Sequence, residues 1–146
     1  MKRSKRRNFP RFIFLTPDLA WSLGFFKAEG LSSRRSRAYY RFHLTNKNPL
    51  CLKKVLDTLH FSGLLPKSNI HGRCFQIHHS ENITSEVIRY WSIQLGFPSE
   101  MFQVKDYPSL CKKENGVCRI DLSDPLLRRI LDLLNDKLMK KNISRG

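Results

Sequence analysis

The sequence predicts a single α+β domain, and three observations carry that prediction. The chain has 146 residues and a mass of 17.2 kDa, which suits one hydrophobic core. Segments with helical periodicity are separated by short aromatic-rich or alternating segments that are typical of strands. Their order is helix, two strands, helix, strand, helix, strands, helix, which differs from the regular strand–helix alternation of a parallel sheet.

Each predicted helix begins at a capping signal. Thr16 precedes Pro17 and Asp18, and Asn48 precedes a second proline, so both positions are typical N-caps. Glycines follow three of the four helices, where they favour a helix end. The helices are expected from Thr16 to Gly30, from Asn48 to about Ser62, from Thr84 or Ser85 to Leu95, and from Ser123 or Asp124 through Leu138.

The segments between the helices have the composition of strands and turns. Aromatic and β-branched residues alternate in part with polar ones, and Asn115-Gly116 is a strong turn signal. The strands are expected as a pair through about Leu31–Arg37 and Ala38–Thr45, then around Arg73–His78, within 101–107 and at Val117–Leu122.

Basic residues greatly outnumber acidic ones. The chain has 27 Lys plus Arg against 12 Asp plus Glu, a formal net charge of +15. Such a surplus opposes compaction and is usually neutralised by a polyanion, so nucleic acid is the leading partner and an anionic membrane surface the second. A basic surface without a functional partner is the third reading. We expect residues 1–11 to be a flexible basic arm, 12–139 to be the domain and 140–146 to be a basic tail.

The sequence has no recognisable export or membrane signal. No stretch approaches the ~20 apolar residues of a membrane span, and the run Phe12–Leu15 falls short of a signal-peptide core. We therefore expect an intracellular protein, with the cytoplasm, nucleoid and organelle matrix undistinguished. The four cysteines are expected to be reduced thiols. A zinc site of Cys111 and Cys118 with His78 and His79 is an alternative, although its spacing matches no familiar pattern.

Small residues recur along the first helix. Ala20, Gly24 and Ala28 are spaced by four residues, so they form one stripe without bulk. Such a stripe lets another helix approach closely, and the same helix of a second subunit is a natural partner. The alternative is that the stripe packs against the domain's own sheet.

Glu29 lies in the last turn of the same helix. A carboxylate at this end is opposed by the helix dipole, and free backbone carbonyls cluster beside it. Oxygen ligands with excess negative charge suit Mg²⁺, and two such ends meeting across a two-fold axis would favour it further. The alternative is a solvated glutamate at a frayed helix end.

Residues 22–30, Ser-Leu-Gly-Phe-Phe-Lys-Ala-Glu-Gly, resemble the LAGLIDADG signature of homing endonucleases. The match consists of the small positions, the apolar positions and the acid. The sequence departs from the signature at Ser22 and Leu23, and at Lys27, where the family often has Asp. The resemblance extends over residues 17–138. The matching positions are Gly24, Phe25, Phe26, Ala28, Glu29 and Gly30.

The resemblance implies a fold and an activity. The fold is αββαββα with a saddle-shaped antiparallel sheet in the DNA major groove, here with an extra inserted helix. The motif helices form the homodimer interface through Ala20, Gly24 and Ala28. Glu29 and the carbonyl of Ala28 hold Mg²⁺ beside the scissile phosphates, so that both DNA strands are cut. An intron or an intein encodes such a chain, and the sequence does not distinguish the two.

Basic and polar residues of the predicted strands are the candidates for DNA contact. No acid occurs between Glu29 and Asp57, and alternate strand residues share a face. Arginine can form paired hydrogen bonds with guanine, which makes the arginines candidates for reading base edges. The alternative is that this segment is a basic hairpin that contacts only solvent. The candidates are Arg34, Arg35, Arg37, Tyr39, Arg41, Lys47, Arg73, Gln76 and His78.

Two other functions are compatible with the sequence. The fold can be kept for binding without cleavage, in a maturase-like RNA cofactor or a regulator, and Lys27 beside the proposed metal site favours this reading. The chain can also be a basic ribonucleoprotein component whose motif arose by chance. Metal-dependent cutting would separate the endonuclease from both alternatives.

Overall fold

The computed structural model describes residues 8–30, 41–105 and 112–143 of the chain. These residues form four α-helices and four β-strands, with single-turn 3-10 helices at 67–69 and 99–101. The α+β class predicted from the sequence is therefore confirmed. The helices are α1 (Pro17–Gly30), α2 (Pro49–Phe61), α3 (Thr84–Leu95) and α4 (Pro125–Ile143), and the strands are β1 (Phe42–Asn46), β2 (Phe75–His78), β3 (Phe102–Lys105) and β4 (Val117–Leu122).

The strands form one mixed sheet in the order β1-β4-β2-β3. Strand β4 pairs antiparallel with both β1 and β2, whereas β2 and β3 pair in parallel. The prediction of a wholly antiparallel sheet was therefore wrong. The physical reason is that α3 crosses over between β2 and β3, so the chain enters β3 at the same end of the sheet where it entered β2.

Capping side chains begin three of the helices. The side-chain oxygens of Thr16, Asn48 and Asp124 accept hydrogen bonds from backbone N–H groups of α1, α2 and α4, at 3.1, 3.0 and 3.1 Å. These bonds satisfy donors that the first turn leaves open, and they confirm the predicted starts. Helix α3 differs, because Ile83 occupies the N-cap position without a side-chain hydrogen bond and Thr84 is already helical.

The core lies between one face of the sheet and the helices. Helices α1, α2 and α4 contact β1, and α3 contacts β3. Phe26 of α1 stacks on Phe42 of β1 with 5.4 Å between ring centroids, and Phe75 stacks on Phe102 at 4.6 Å. Trp91 of α3 is fully buried. Burying each such ring contributes about 1.5–3 kcal/mol, so the Phe26–Phe42 contact fixes α1 against the sheet and the Phe75–Phe102 contact joins β2 to β3.

Several predicted segments lie outside the described residues. The first strand of the predicted hairpin, Leu31–Arg37, is one of them, as is most of the basic arm at 1–11. Helix α4 continues to Ile143, past the predicted domain boundary at residue 139. The predicted strand through Thr45 is present as β1, which begins at Phe42.

Candidate nucleic-acid interface and motif helix

Helix α1 has one buried and one exposed side. Leu19, Leu23 and Phe26 are buried, each about 1% exposed, whereas the stripe of Ala20, Gly24 and Ala28 is exposed to solvent. A Cβ atom built on Gly24 has nothing within 4 Å. Within the described residues, the stripe therefore does not pack against the sheet, and it leaves room for a close approach.

An aromatic and charged group borders this exposed side. Trp21 stacks on Phe25 with 5.1 Å between centroids, and the Nζ atom of Lys54 lies 4.5 Å from the centroid of the Trp21 ring. The same Nζ atom lies 3.4 Å from a carboxylate oxygen of Asp18. These contacts join α1 to α2. The helix that carries the stripe is therefore fixed by α2 along one side.

Glu29 is exposed in the last turn of α1, next to exposed Ala28 and half-buried Lys27. Its carboxylate and the free carbonyls of the helix end are oxygen donors of the kind that Mg²⁺ accepts. Within the described residues, no three His, Cys, Asp or Glu side chains are grouped as a metal site. The last turn of α1 contains one acid, Glu29, and the same turn of a second copy would bring another.

The sheet face opposite the core is polar. Side chains alternate along each strand, and the strand registers align Thr45, Arg119, Gln76 and Gln103 as direct neighbours in a row across all four strands. All four are half-exposed. We call this surface the open face. Its other members are His43 and Asp121 on one side of the row and Val117, His78 and Lys105 on the other.

An ion-pair network connects the open face to α4. The Nε atom of Arg41 donates to Asp121 at 2.7 Å, and Arg128 donates through Nη1 to the carbonyl of Arg41 at 3.2 Å. Arg128 is only 2% exposed, lies 3.3 Å from a carboxylate oxygen of Asp132, and places its guanidinium 5.3 Å from the Phe26 ring centre. Arg128 therefore joins α1, α4 and the start of β1.

The local charge at this end of the open face is positive. Burial lowers the pKa of His43, and the charges of Arg119, Arg128 and Arg41 lower it further, whereas Asp121 raises it. His43 is therefore a neutral imidazole at pH 7, able to donate or accept a hydrogen bond.

The predicted DNA-contacting residues have different positions. Gln76 and His78 lie on the open face, and Arg41 adjoins it while paired with Asp121. Lys47 and Arg73 are exposed but lie outside the strands. The remaining four candidates, Arg34, Arg35, Arg37 and Tyr39, lie outside the described residues.

Sequence reasoning missed several members of the open face. Arg119 is at its centre, and Thr45, Gln103 and Lys105 are further members. A usable signal was present in Val117–Leu122, where Arg119 and Asp121 alternate with buried Cys118, Ile120 and Leu122. Period-two alternation assigns those two charged residues to the solvent face.

The cysteines described here are free thiols. Burial raises the pKa of the Cys74 thiol to about 11 and also raises that of the Cys118 thiol, so both are protonated at pH 7. Cys118 points into the core, on the sheet face opposite His78. It is therefore unsuited to the zinc site considered above, whose other cysteine, Cys111, lies outside the described residues.

Comparisons with known proteins found no match. No protein-family model matches the chain, and no curated protein or solved structure matches it significantly. Among the helices of the described ranges, none combines the length and apolar character that crossing a membrane requires.

Proposed function

We propose that this protein binds double-stranded DNA through its open face and cuts both strands as a homodimer, in the manner of single-motif LAGLIDADG homing endonucleases. The observation that carries the binding proposal is the polar row of Thr45, Arg119, Gln76 and Gln103 across the sheet. In a chain of net charge +15, such a face opposite the core suits a polyanion.

The dimensions of the row match a DNA groove. Neighbouring strands lie ~4.8 Å apart, so four side chains in a row span about 14 Å, close to the ~12 Å width of the major groove. The side-chain types also suit base edges, because arginine pairs with guanine and glutamine with adenine. Gln76 and Gln103 have the glutamine chemistry, and the guanidinium of Arg119 fits either a guanine edge or a backbone phosphate.

The exposed side of α1 supports the homodimer. Ala20, Gly24 and Ala28 present backbone rather than bulk, so the α1 helices of two copies can approach to the short interaxial distances that small residues allow. A two-fold axis between them would bring two Glu29 carboxylates together. The cleavage proposal depends on this association, because the last turn of α1 contains one acid.

The oxygen donors at the end of α1 suit Mg²⁺, and a second copy would add a second Glu29 carboxylate. Glu29 and the carbonyl of Ala28 would hold the ion, and the bound ion would supply activation of water and charge stabilisation. The chain's own contribution is to fix Glu29 at the end of a helix that Phe26 anchors on β1. Lys27 adds a positive charge in the same turn, which weakens cation binding.

That positive charge and the single carboxylate favour a second candidate function. A protein with the same open face and no productive metal site would bind DNA or RNA without cutting it. It would act as a maturase-like cofactor or a regulator. Its binding would be as strongly salt-dependent as that of the endonuclease, so only a cleavage assay separates the two functions.

The deciding experiment is selection of cleaved sites from a randomised duplex DNA library, with and without Mg²⁺. Wild type is compared with Glu29→Gln, and Glu86→Gln, an exposed glutamate on α3, is the matched control. We expect discrete double-strand cuts with wild type and Glu86→Gln only when Mg²⁺ is present. Cutting by Glu29→Gln would contradict the proposed role of Glu29. Binding without cutting in every condition would favour the second candidate.

A further inference from the structure

A shallow depression of about 280 Å³ opens where β2 ends and β4 begins. It is lined by Thr45, His78, His79, Val117 and Arg119. Three of these five side chains are basic or titratable, one is a hydroxyl and none is a carboxylate. Lys105 is the direct neighbour of His78 on β3, at the border of the same area.

The depression has a positive local field. Burial lowers the pKa of His78, and the charges of His79, Arg119 and Lys105 lower it further. The acid of β4 on the same face, Asp121, is already paired with Arg41 at 2.7 Å. An anion in the depression would therefore meet uncompensated positive charge.

Arg119 provides an independent sign that an acceptor is missing. Its Nε atom is buried, and among the described residues it has no hydrogen-bond partner. A buried N–H without an acceptor is costly, and charged groups are especially so. The guanidinium presents its donors in a planar fork that fits two oxygens of one phosphate. The hydroxyl of Thr45 can donate to a third oxygen.

The wall of the depression is held in a defined conformation. His79 has φ = 60°, and its carbonyl accepts from the N–H of Lys113 at 2.8 Å. Gly116 has φ = 69°, and a Cβ atom there would come within 2.5 Å of the carbonyl oxygen of His78. Only glycine fits this position, so the two histidines are fixed against the turn before β4.

We propose that this depression is a phosphate-binding site, in which Arg119 forms the main contact and Thr45 and the two histidines complete the donor set. The chemical class is a phosphate group, carried by a nucleic-acid backbone or free in solution. The nucleic-acid source rests on the proposed function, whereas the affinity for phosphate itself does not. A backbone phosphate here would position the duplex on the open face without reading sequence.

The test is an NMR titration of the full chain with inorganic phosphate, observed at the ring protons of His78 and His79. We expect saturable shifts of both rings in wild type and about tenfold weaker binding in Arg119→Gln, because the charged hydrogen bonds are lost. Arg89→Gln, which removes an exposed arginine of α3 outside the depression, is the matched control and should bind as wild type does. No saturable shift in wild type, or equal weakening in both variants, would overturn the proposal.

A second variant, Thr45→Val, tests the site independently if Arg119→Gln does not fold. Thr45→Val keeps the side-chain shape and removes the hydroxyl donor, so it should weaken phosphate binding without removing it. Unchanged affinity in a folded Thr45→Val protein together with unchanged affinity in a folded Arg119→Gln protein would refute the site.

Competition identifies the source of the phosphate. If the site takes a nucleic-acid phosphate, duplex DNA displaces inorganic phosphate, and Arg119→Gln lowers the salt slope of duplex binding by about 1. If it takes free phosphate, the histidine shifts persist and duplex DNA does not compete. The second result would leave the phosphate site standing while the proposed function fails, so the two claims are separated.

Discussion

The open face and the end of α1 differ in how much of each surface one chain supplies. On the open face, cross-strand registers bring Thr45, Arg119 and Gln76 together within a single chain. At the end of α1, Glu29 is exposed beside a stripe that nothing in the described chain covers at Gly24. Under the proposed function, binding is therefore encoded in the monomer, whereas cleavage requires association.

The largest effect is expected at Arg128, which connects the two regions. Arg128→Ala removes the pairing with Asp132, the hydrogen bond to the Arg41 carbonyl and the contact with Phe26. Breaking a buried ion pair costs about 3–5 kcal/mol, and because Asp132 is 25% exposed we expect a loss at the lower end of that range, about 3 kcal/mol of the free energy of unfolding. Urea denaturation measures it.

Arg129→Ala is the matched control for Arg128, because Arg129 is the exposed neighbour on α4. Surface substitutions of this kind change the free energy of unfolding by about 0.5 kcal/mol or less. Equal stabilities of the two variants would show that the Arg128 network does not hold α1 and β1 together.

A smaller effect is expected at the turn before β4, which shapes the open face alone. Gly116→Ala must adopt φ = 69° and also clashes with the His78 carbonyl. Gly96→Ala has φ = 76° with nothing within 4 Å of its Cβ atom, so it pays only the left-handed conformational penalty of about 1–2 kcal/mol. We expect Gly116→Ala to be the less stable of the two in thermal unfolding. Equal losses would contradict the close contact at His78.

Some of these structural features could be predicted from the sequence alone, and others could not. The helix starts at Thr16, Asn48 and Asp124 were predictable, because a cap is a local hydrogen bond between residues two or three apart. The parallel pairing of β2 with β3 was not, because it depends on where α3 packs.

The open face could be predicted only in part, because its members on one strand follow from local alternation and its cross-strand neighbours do not. Alternation assigns Gln76 and Arg119 to solvent, but only the register of β2 with β4 makes them neighbours. Arg128 gave no sequence signal, because arginines are rarely fully buried and nothing in the Arg128-Arg129 pair distinguishes the buried residue from the exposed one.

The pH dependence of stability tests whether the surroundings of His43 on the open face are positively charged. Burial and nearby arginines lower the pKa of His43 below its ordinary value near 6.5. Below about pH 6.5 the unfolded chain therefore binds more protons at His43 than the folded chain does, so stability is lost as the pH falls. Well above pH 6.5 both states are unprotonated at His43, which then contributes no pH dependence.

We expect His43→Gln to reduce this loss in thermal unfolding measured between about pH 5 and pH 8. His71→Gln, at an exposed histidine between α2 and β2, is the matched control. A wild-type protein that gains stability on acidification in this window would contradict the positive field around His43.

The smallest effect is expected on the buried side of α1. Ser22 is 1% exposed, and its hydroxyl has no hydrogen-bond partner among the described residues. Ser22→Ala removes an unpaired polar atom, so we expect unchanged stability or a gain of about 1 kcal/mol in urea denaturation. A clear loss would mean that the hydroxyl forms a bond that stabilises α1.

Substitution of Gly24 tests the central contrast most directly. Gly24→Gln places a good helix former where a Cβ atom meets nothing within 4 Å, so the monomer should stay folded while a second α1 can no longer approach. Its affinity for a half-site from the selected DNA and its double-strand cleavage are measured together. We predict that half-site affinity is retained and cleavage is lost. Retained cleavage, or loss of half-site binding in a folded variant, would contradict the claim that one chain binds and two chains cut.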